Sequence, residues 1–295
     1  MNFVTRVSVV LAVAAVCAAA GSAAPAPTGK IVFSSASGVG GKTQIWVMNA
    51  NGSRRHSLSP ATVYEEGPTL SRDGRRIAFG RGGDIYVMSS SGSNVHRLTF
   101  GPAQEGAPVW SSDGRWIAYS SYRAGKSDIW KMRSDGSAKT RLTRTTALED
   151  VPDWSPDGRK IVYAGPQARI WVMNANGTGQ HPLTRNALGG GVAWAPAWSP
   201  QGARIAYEFS GGTSPVNPTN EIWLMNADGS HPVRLTNNQL EDGQPTWSPD
   251  GSWLAFQSAR PHPGPLHLWV MHPNGKSLHR VSSSPAEEYQ PSWSR

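Results

Sequence analysis

The sequence predicts an all-β fold, a six-bladed β-propeller with four antiparallel strands per blade, and three observations carry that expectation. A strand of the Ile-Trp-Val-Met type recurs six times, at Ile45-Trp46, Ile85-Tyr86, Ile129-Trp130, Ile170-Trp171, Ile222-Trp223 and Leu268-Trp269. A Pro-x-Trp-Ser anchor recurs with its aromatic position at Leu70, Trp110, Trp154, Trp198, Trp247 and Trp293, at spacings of 40, 44, 44, 49 and 46 residues. Those spacings fit one propeller blade per repeat. No stretch between the anchors carries a helical period.

Residues 1–24 read as a secretory signal: Arg6, an apolar run from Val7 to Ala20, and the small residues 18–24 suited to cleavage. The apolar run is shorter than the roughly 20 residues that a spanning helix needs. Cys17, the only cysteine, falls inside this segment, so the expected mature chain has neither disulfide nor thiol chemistry. Residues 25–295 are expected to form the propeller. The formal charge of +8 suits acidic polymers, anionic lipid or acidic proteins outside the cell, or simply a soluble surface.

Each repeat has the same internal grammar. A short first strand ends at Ser-Pro-Asp-Gly, as at 155–158 and 248–251, where Pro at the second position presets φ and Gly at the fourth relieves crowding in a type I turn. A second strand such as 160–164 follows, then the Ile-Trp strand. That third strand ends at Asn51-Gly52, Asp135-Gly136, Asn176-Gly177, Asp228-Gly229 or Asn274-Gly275, pairs that favour hairpins. A fourth strand is expected to end in Arg-Leu-Thr, as at 97–99, 141–143 and 234–236. Ten of the thirteen tryptophans occupy the two anchor positions, and they are expected to form the core between blades.

With "PDWSPDGRKIVYA" at 152–164 and "DIWKMRSDG" at 128–136, the repeat resembles the TolB-type, WD-like β-propeller family. The resemblance runs over residues 29–295, and it implies a six-bladed ring. One departure is that TolB proper has an α/β domain ahead of its propeller, whereas here the repeats follow the signal directly. The last residues, Pro291-Ser292-Trp293-Ser294-Arg295, begin a motif whose continuation is supplied by residues 28–35. The C-terminal strand is therefore expected to become the innermost strand of the N-terminal blade and close the ring, removing two exposed sheet edges.

Three other patterns are set aside. "ASGVGGKT" at 36–43 fits a loose phosphate-loop pattern, but strand residues follow Thr43 where a phosphate loop needs a helix. His56, His96, His181 and His279 each stand four residues after a turn glycine in different blades, so symmetry spreads them apart. His262, His267 and His272 read as surface decoration of one blade, and the sequons at Asn51 and Asn176 are by-products of turn chemistry.

The tight turns share one end of the ring. The other end carries loops of varied length, at 34–42, 121–127, 210–219 and 258–266, and loop variation on one face of a repeating scaffold is where binding usually resides. An acid stands three residues before each motif proline at Glu65, Glu105, Glu149, Asp242 and Glu288, with Ala193 breaking the series. These acids are expected to ring one channel mouth. Either they accept hydrogen bonds at strand starts, or they hold a cation or a basic peptide segment. Trp194 lies outside both anchors and is a candidate exposed contact or a core filler. Arg75, Arg76, Arg115, Arg159, Lys160 and Arg204 gather at the tight-turn end.

No catalytic constellation or cofactor signature is visible, and whether a metal binds is left open. The expected protein is a monomeric, exported, periplasmic or secreted propeller, non-catalytic, that binds a protein partner on its long-loop face, with no membrane span after signal cleavage and no nucleic-acid partner. The alternatives are a carbohydrate-active enzyme of the polysaccharide-lyase type and a binder of anionic cell-envelope polymer.

Overall fold

The computed structural model describes residues 26–36, 42–185, 191–211, 220–238, 240–260 and 264–294. The signal segment with Cys17, most of the phosphate-loop look-alike, residues 189 and 190, the loop 212–219 and His262 lie outside the described residues. Six four-stranded antiparallel sheets form the blades of a ring. Blade 1 combines the last strand, β24 (Glu288–Ser294), with β1 (Lys30–Ser35), β2 (Gln44–Asn49) and β3 (His56–Ser57), in the order β24-β1-β2-β3. Blades 2 to 6 each take four consecutive strands. Their innermost members are β4 (Glu65–Leu70), β8 (Gln104–Trp110), β12 (Asp150–Trp154), β16 (Val192–Trp198) and β20 (Asp242–Trp247).

Closure by the C-terminal strand is observed. Ile31 pairs with Trp293 and Lys30 with Ser294. The Trp293 indole N–H donates to the Thr28 carbonyl at 2.8 Å, and Ser294 Oγ donates to the Ser71 carbonyl at 3.0 Å, tying blade 1 to blade 2.

The anchor tryptophans form the core between blades, as expected. Trp110, Trp154, Trp247 and Trp293 are buried, whereas Trp46, Trp130, Trp171, Trp223 and Trp269 on the third strands are half-buried and pack onto the apolar clusters. Each Ser-Pro-Asp-Gly turn is locked by its own side chains. Ser155 Oγ donates to Asp157 at 2.6 Å, and Asp157 accepts the Arg159 N–H at 3.0 Å.

The turn after the third strand differs from a two-residue hairpin. Gly177 N–H donates to Asn174 O at 2.8 Å, so glycine is the fourth residue of a type I turn, and the outer strand is only two residues, His181–Pro182. Glycine is required here because the turn presses on the preceding blade. At φ +87°, a Cβ on Gly177 would lie 2.7 Å from the Leu142 carbonyl oxygen. The Leu-Thr that follows the outer strand in four of the blades turns inward, as where Leu98 is buried and Thr99 Oγ1 accepts the Ile85 N–H at 2.9 Å.

Candidate functional site

The innermost strands enclose a channel of about 970 Å³. They all run in one direction, from the long-loop end toward the tight turns. Side chains alternate along a strand, so one set of positions faces the axis and the next faces into the blade.

That alternation corrects the expected acidic ring. Glu65, Glu149, Asp242 and Glu288 are 0% exposed and do not line the channel; Glu105 alone does. Their backbones join neighbouring blades: Glu65 N–H donates to Thr43 O at 3.0 Å, Glu149 to Ser127 O at 3.0 Å and Glu288 to Leu266 O at 2.8 Å. The side chains of Glu65, Glu149, Asp242 and Glu288 turn away from the axis into the blade, and arginines meet four of the five acids, all but Glu149. Arg81 pairs with Glu65, Arg260 with Asp242 at 2.7 Å, and Arg55 with Glu288 at 2.9 Å, while Arg123 approaches Glu105 at 3.9 Å. Each guanidinium also lies over a third-strand aromatic ring: Arg55 over Trp46 at 3.8 Å, Arg81 over Tyr86 at 4.9 Å, Arg123 over Trp130 at 5.4 Å and Arg260 over Trp269 at 5.7 Å. The sequence pattern does not reveal these partners, although Arg81, Arg123 and Arg260 all stand at or just beyond the end of a second-strand apolar run.

The carboxylates that do line the channel are Glu66, Glu105, Asp150 and Asp153. Glu66, Asp150 and Trp194 stand one residue after the acid positions, and Trp194 is half-buried against the channel. Beside it, the break at Ala193 is matched by Phe209, which packs edge-on to Trp223 at 5.4 Å where four of the other blades place an arginine over the aromatic. Tyr64, Tyr122 and Leu148 also line the channel at the long-loop end, with exposures of 50%, 45% and 55%. The mouth is thus a crown of apolar side chains above a carboxylate-bearing wall.

A bulge in every innermost strand shapes that wall. Gly67, Ala107, Val151, Ala195, Gln244 and Gln290 all have positive φ, between 45° and 57°. The conformation is costly for the β-branched Val151 and is held by packing and by bonds between blades. Gln290 Oε1 accepts the Gly67 N–H at 2.9 Å, Gln257 Oε1 accepts the Gln290 N–H at 3.1 Å, and Glu208 Oε2 accepts the Gln244 N–H at 3.2 Å. Burial pushes Glu208 up to about 7, and it pushes Asp153, which accepts the Trp198 N–H at 2.6 Å, up to about 7 as well.

At the opposite end Arg75, Arg115, Arg159 and Lys160 are exposed, but Arg76 and Arg204 are half-buried, over Trp110 at 4.4 Å and Trp247 at 5.5 Å. Among the described residues no three His, Cys, Asp or Glu side chains converge as metal ligands, and His56, His96, His181 and His279 lie exposed on separate outer strands. His267 is buried at 4% exposure beside Glu288, which corrects its reading as surface decoration.

The model of the Tricorn protease N-terminal β-propeller domain matches residues 80–170. Residues 186–295 match the TolB β-propeller family model. A crystal structure of TolB from Acinetobacter baumannii superposes with a TM-score of 0.77 at 18% identity over 90% of this chain, which spans 66% of that protein's length. A protein described as a TolB from Agrobacterium tumefaciens gives 0.65 at 21% identity, covering 91% of this chain and 99% of that one. An oligogalacturonate lyase in complex with manganese gives 0.61 at 16% identity, covering 86% and 74%. At such identities these TolB-type likenesses establish the fold alone. No curated protein matches the chain.

Proposed function

We propose that this TolB-type propeller is an exported, non-catalytic binding protein whose protein partner seats on the long-loop face and presents a basic segment to the channel mouth. The observation that carries the proposal is the crown: Tyr64, Tyr122 and Leu148 hold about half their surface in solvent around a wall bearing Glu66 and Asp150. Clustered exposed apolar groups mark interaction surfaces, and the carboxylates select a cationic complement. Among the described residues that line the channel, Arg72 alone is basic. A polyanionic sugar chain would meet repulsion there, which favours a protein partner over a lyase substrate. Export rests on the sequence of residues 1–24.

The test is capture from cell-envelope extract by immobilised protein. Wild type and an Arg115→Glu/Arg159→Glu variant should retain the same partner, and Tyr64→Ser/Tyr122→Ser should lose it. Retention by the tyrosine variant with loss by the arginine variant would move the site to the tight-turn face. That second reading has its own support in the exposed Arg75, Arg115, Arg159 and Lys160, which suit an anionic envelope polymer. Binding there should fall steeply with added salt.

A further inference from the structure

The acid series poses a charge problem that four blades solve in one way and blade 4 does not. At Glu65, Glu105, Asp242 and Glu288 a guanidinium faces the carboxylate. Arg81, Arg123 and Arg260 stand at or just beyond the end of their second strands, whereas Arg55 stands ahead of an outer strand. Delivery of the same group from a second backbone position points to a pocket beside the acid that calls for a positive charge.

Glu149 of blade 4 is as buried as Glu65, Asp242 and Glu288, at 0% exposure, and has no ion-pair partner among the described residues. The second strand of blade 4 ends at Gly165 and Pro166. Its third-strand Trp171 is capped by the Pro166 carbonyl at 3.0 Å, with no arginine above it. Arg141, whose charge acts on Glu149, is already bonded to Asp128 at 2.8 Å. Glu149 Oε1 accepts from Thr145 Oγ1 at 3.1 Å, while Oε2 has no hydrogen-bond partner. Two neighbouring buried hydroxyls, Ser127 Oγ and Tyr163 OH, likewise have none. Ser127 also gives its carbonyl to the Glu149 N–H and lines the channel, so the pocket adjoins a route to solvent. Glu65, Asp242 and Glu288 also leave one oxygen without a partner, but there the charge is neutralised by arginine.

We infer that blade 4 binds a small inorganic monovalent cation, sodium or potassium, between Glu149 and the hydroxyls of Ser127 and Tyr163, in the role the arginines play elsewhere in the ring. One free carboxylate with neutral oxygen donors matches an alkali ion; calcium typically takes six to eight oxygens with several carboxylates. An uncompensated buried carboxylate is expensive, so the ion should stabilise the fold.

Thermal unfolding at pH 7.5 and constant ionic strength, in sodium, potassium or N-methylglucamine chloride, tests the inference. Wild type should melt several degrees higher in at least one alkali salt than in N-methylglucamine, with Tm rising as the logarithm of that ion's concentration. Glu149→Gln should melt alike in all three salts. Tyr163→Phe, which keeps the packing, should shrink the difference and guards against a misfolded glutamine variant. Equal melting of wild type in the three salts, as expected if Glu149 is simply protonated, overturns the assignment. So does a salt preference that survives Glu149→Gln.

Discussion

Trp293→Ala tests whether the terminal strand closes the ring energetically as well as geometrically. Trp293 is 7% exposed and belongs to the cluster containing Ile31, Phe33 and Trp253, so it joins the C-terminal strand to blade 1 and to blade 6. Removing about 200 Å² of buried side chain at roughly 25 cal/mol per Å² costs about 5 kcal/mol as an upper figure. Residual burial in the unfolded chain lowers that to about 3–4 kcal/mol, and loss of the indole bond to Thr28 returns about 1 kcal/mol. At about 2–4 °C per kcal/mol for a domain of this size, the melting midpoint should fall by roughly 10–15 °C. Calorimetry gives the midpoint, and hydrogen exchange should show amides of β1 losing protection first. Trp194→Ala, at the channel mouth, is the comparison and should cost far less. A Trp293→Ala midpoint within about 2 °C of wild type would refute the reasoning, because a strand that closes a ring cannot be nearly neutral when its anchor is removed.

The other expectations concern charge and the mouth. Asp153 has its pKa raised to about 7 by burial, so the native state keeps a proton across pH 4–7 that the unfolded chain loses, and stability falls as pH rises through that window. Asp153→Asn should therefore match wild type near pH 4 and exceed it at pH 8 by up to about 4 kcal/mol, at about 1.4 kcal/mol per pH unit, measured by urea unfolding. Arg260→Met leaves Asp242 buried without its cation and should cost about 3–5 kcal/mol, whereas the double change with Asp242→Leu should recover much of the loss. Tyr64→Ser/Tyr122→Ser should leave the melting midpoint within about 2 °C, since both rings are about half exposed, while abolishing partner capture.

The six repeats were legible because each blade must bury the same two aromatic positions against the next, so the period is written into the chain as Pro-x-Trp-Ser and Ile-Trp. The closing strand was legible for the same reason, since residues 291–294 and 28–35 are two halves of one repeat. The acid series was equally visible at Glu65, Glu105, Glu149, Asp242 and Glu288, but its direction was not. A one-residue phase in a strand exchanges channel for blade interior, and the bulges at Val151 and its equivalents set that phase. Partners were also hidden, because Arg55 and Glu288 are 233 residues apart and meet only when the ring closes. Local periodicity therefore determined the strands, the blade count and the closure. Only the tertiary structure decided that most of the acids are neutralised inside the blades, that Glu66, Asp150 and Trp194 face the channel in their place, and that Glu149 is left without an arginine, because those outcomes depend on side-chain direction and on contacts between blades.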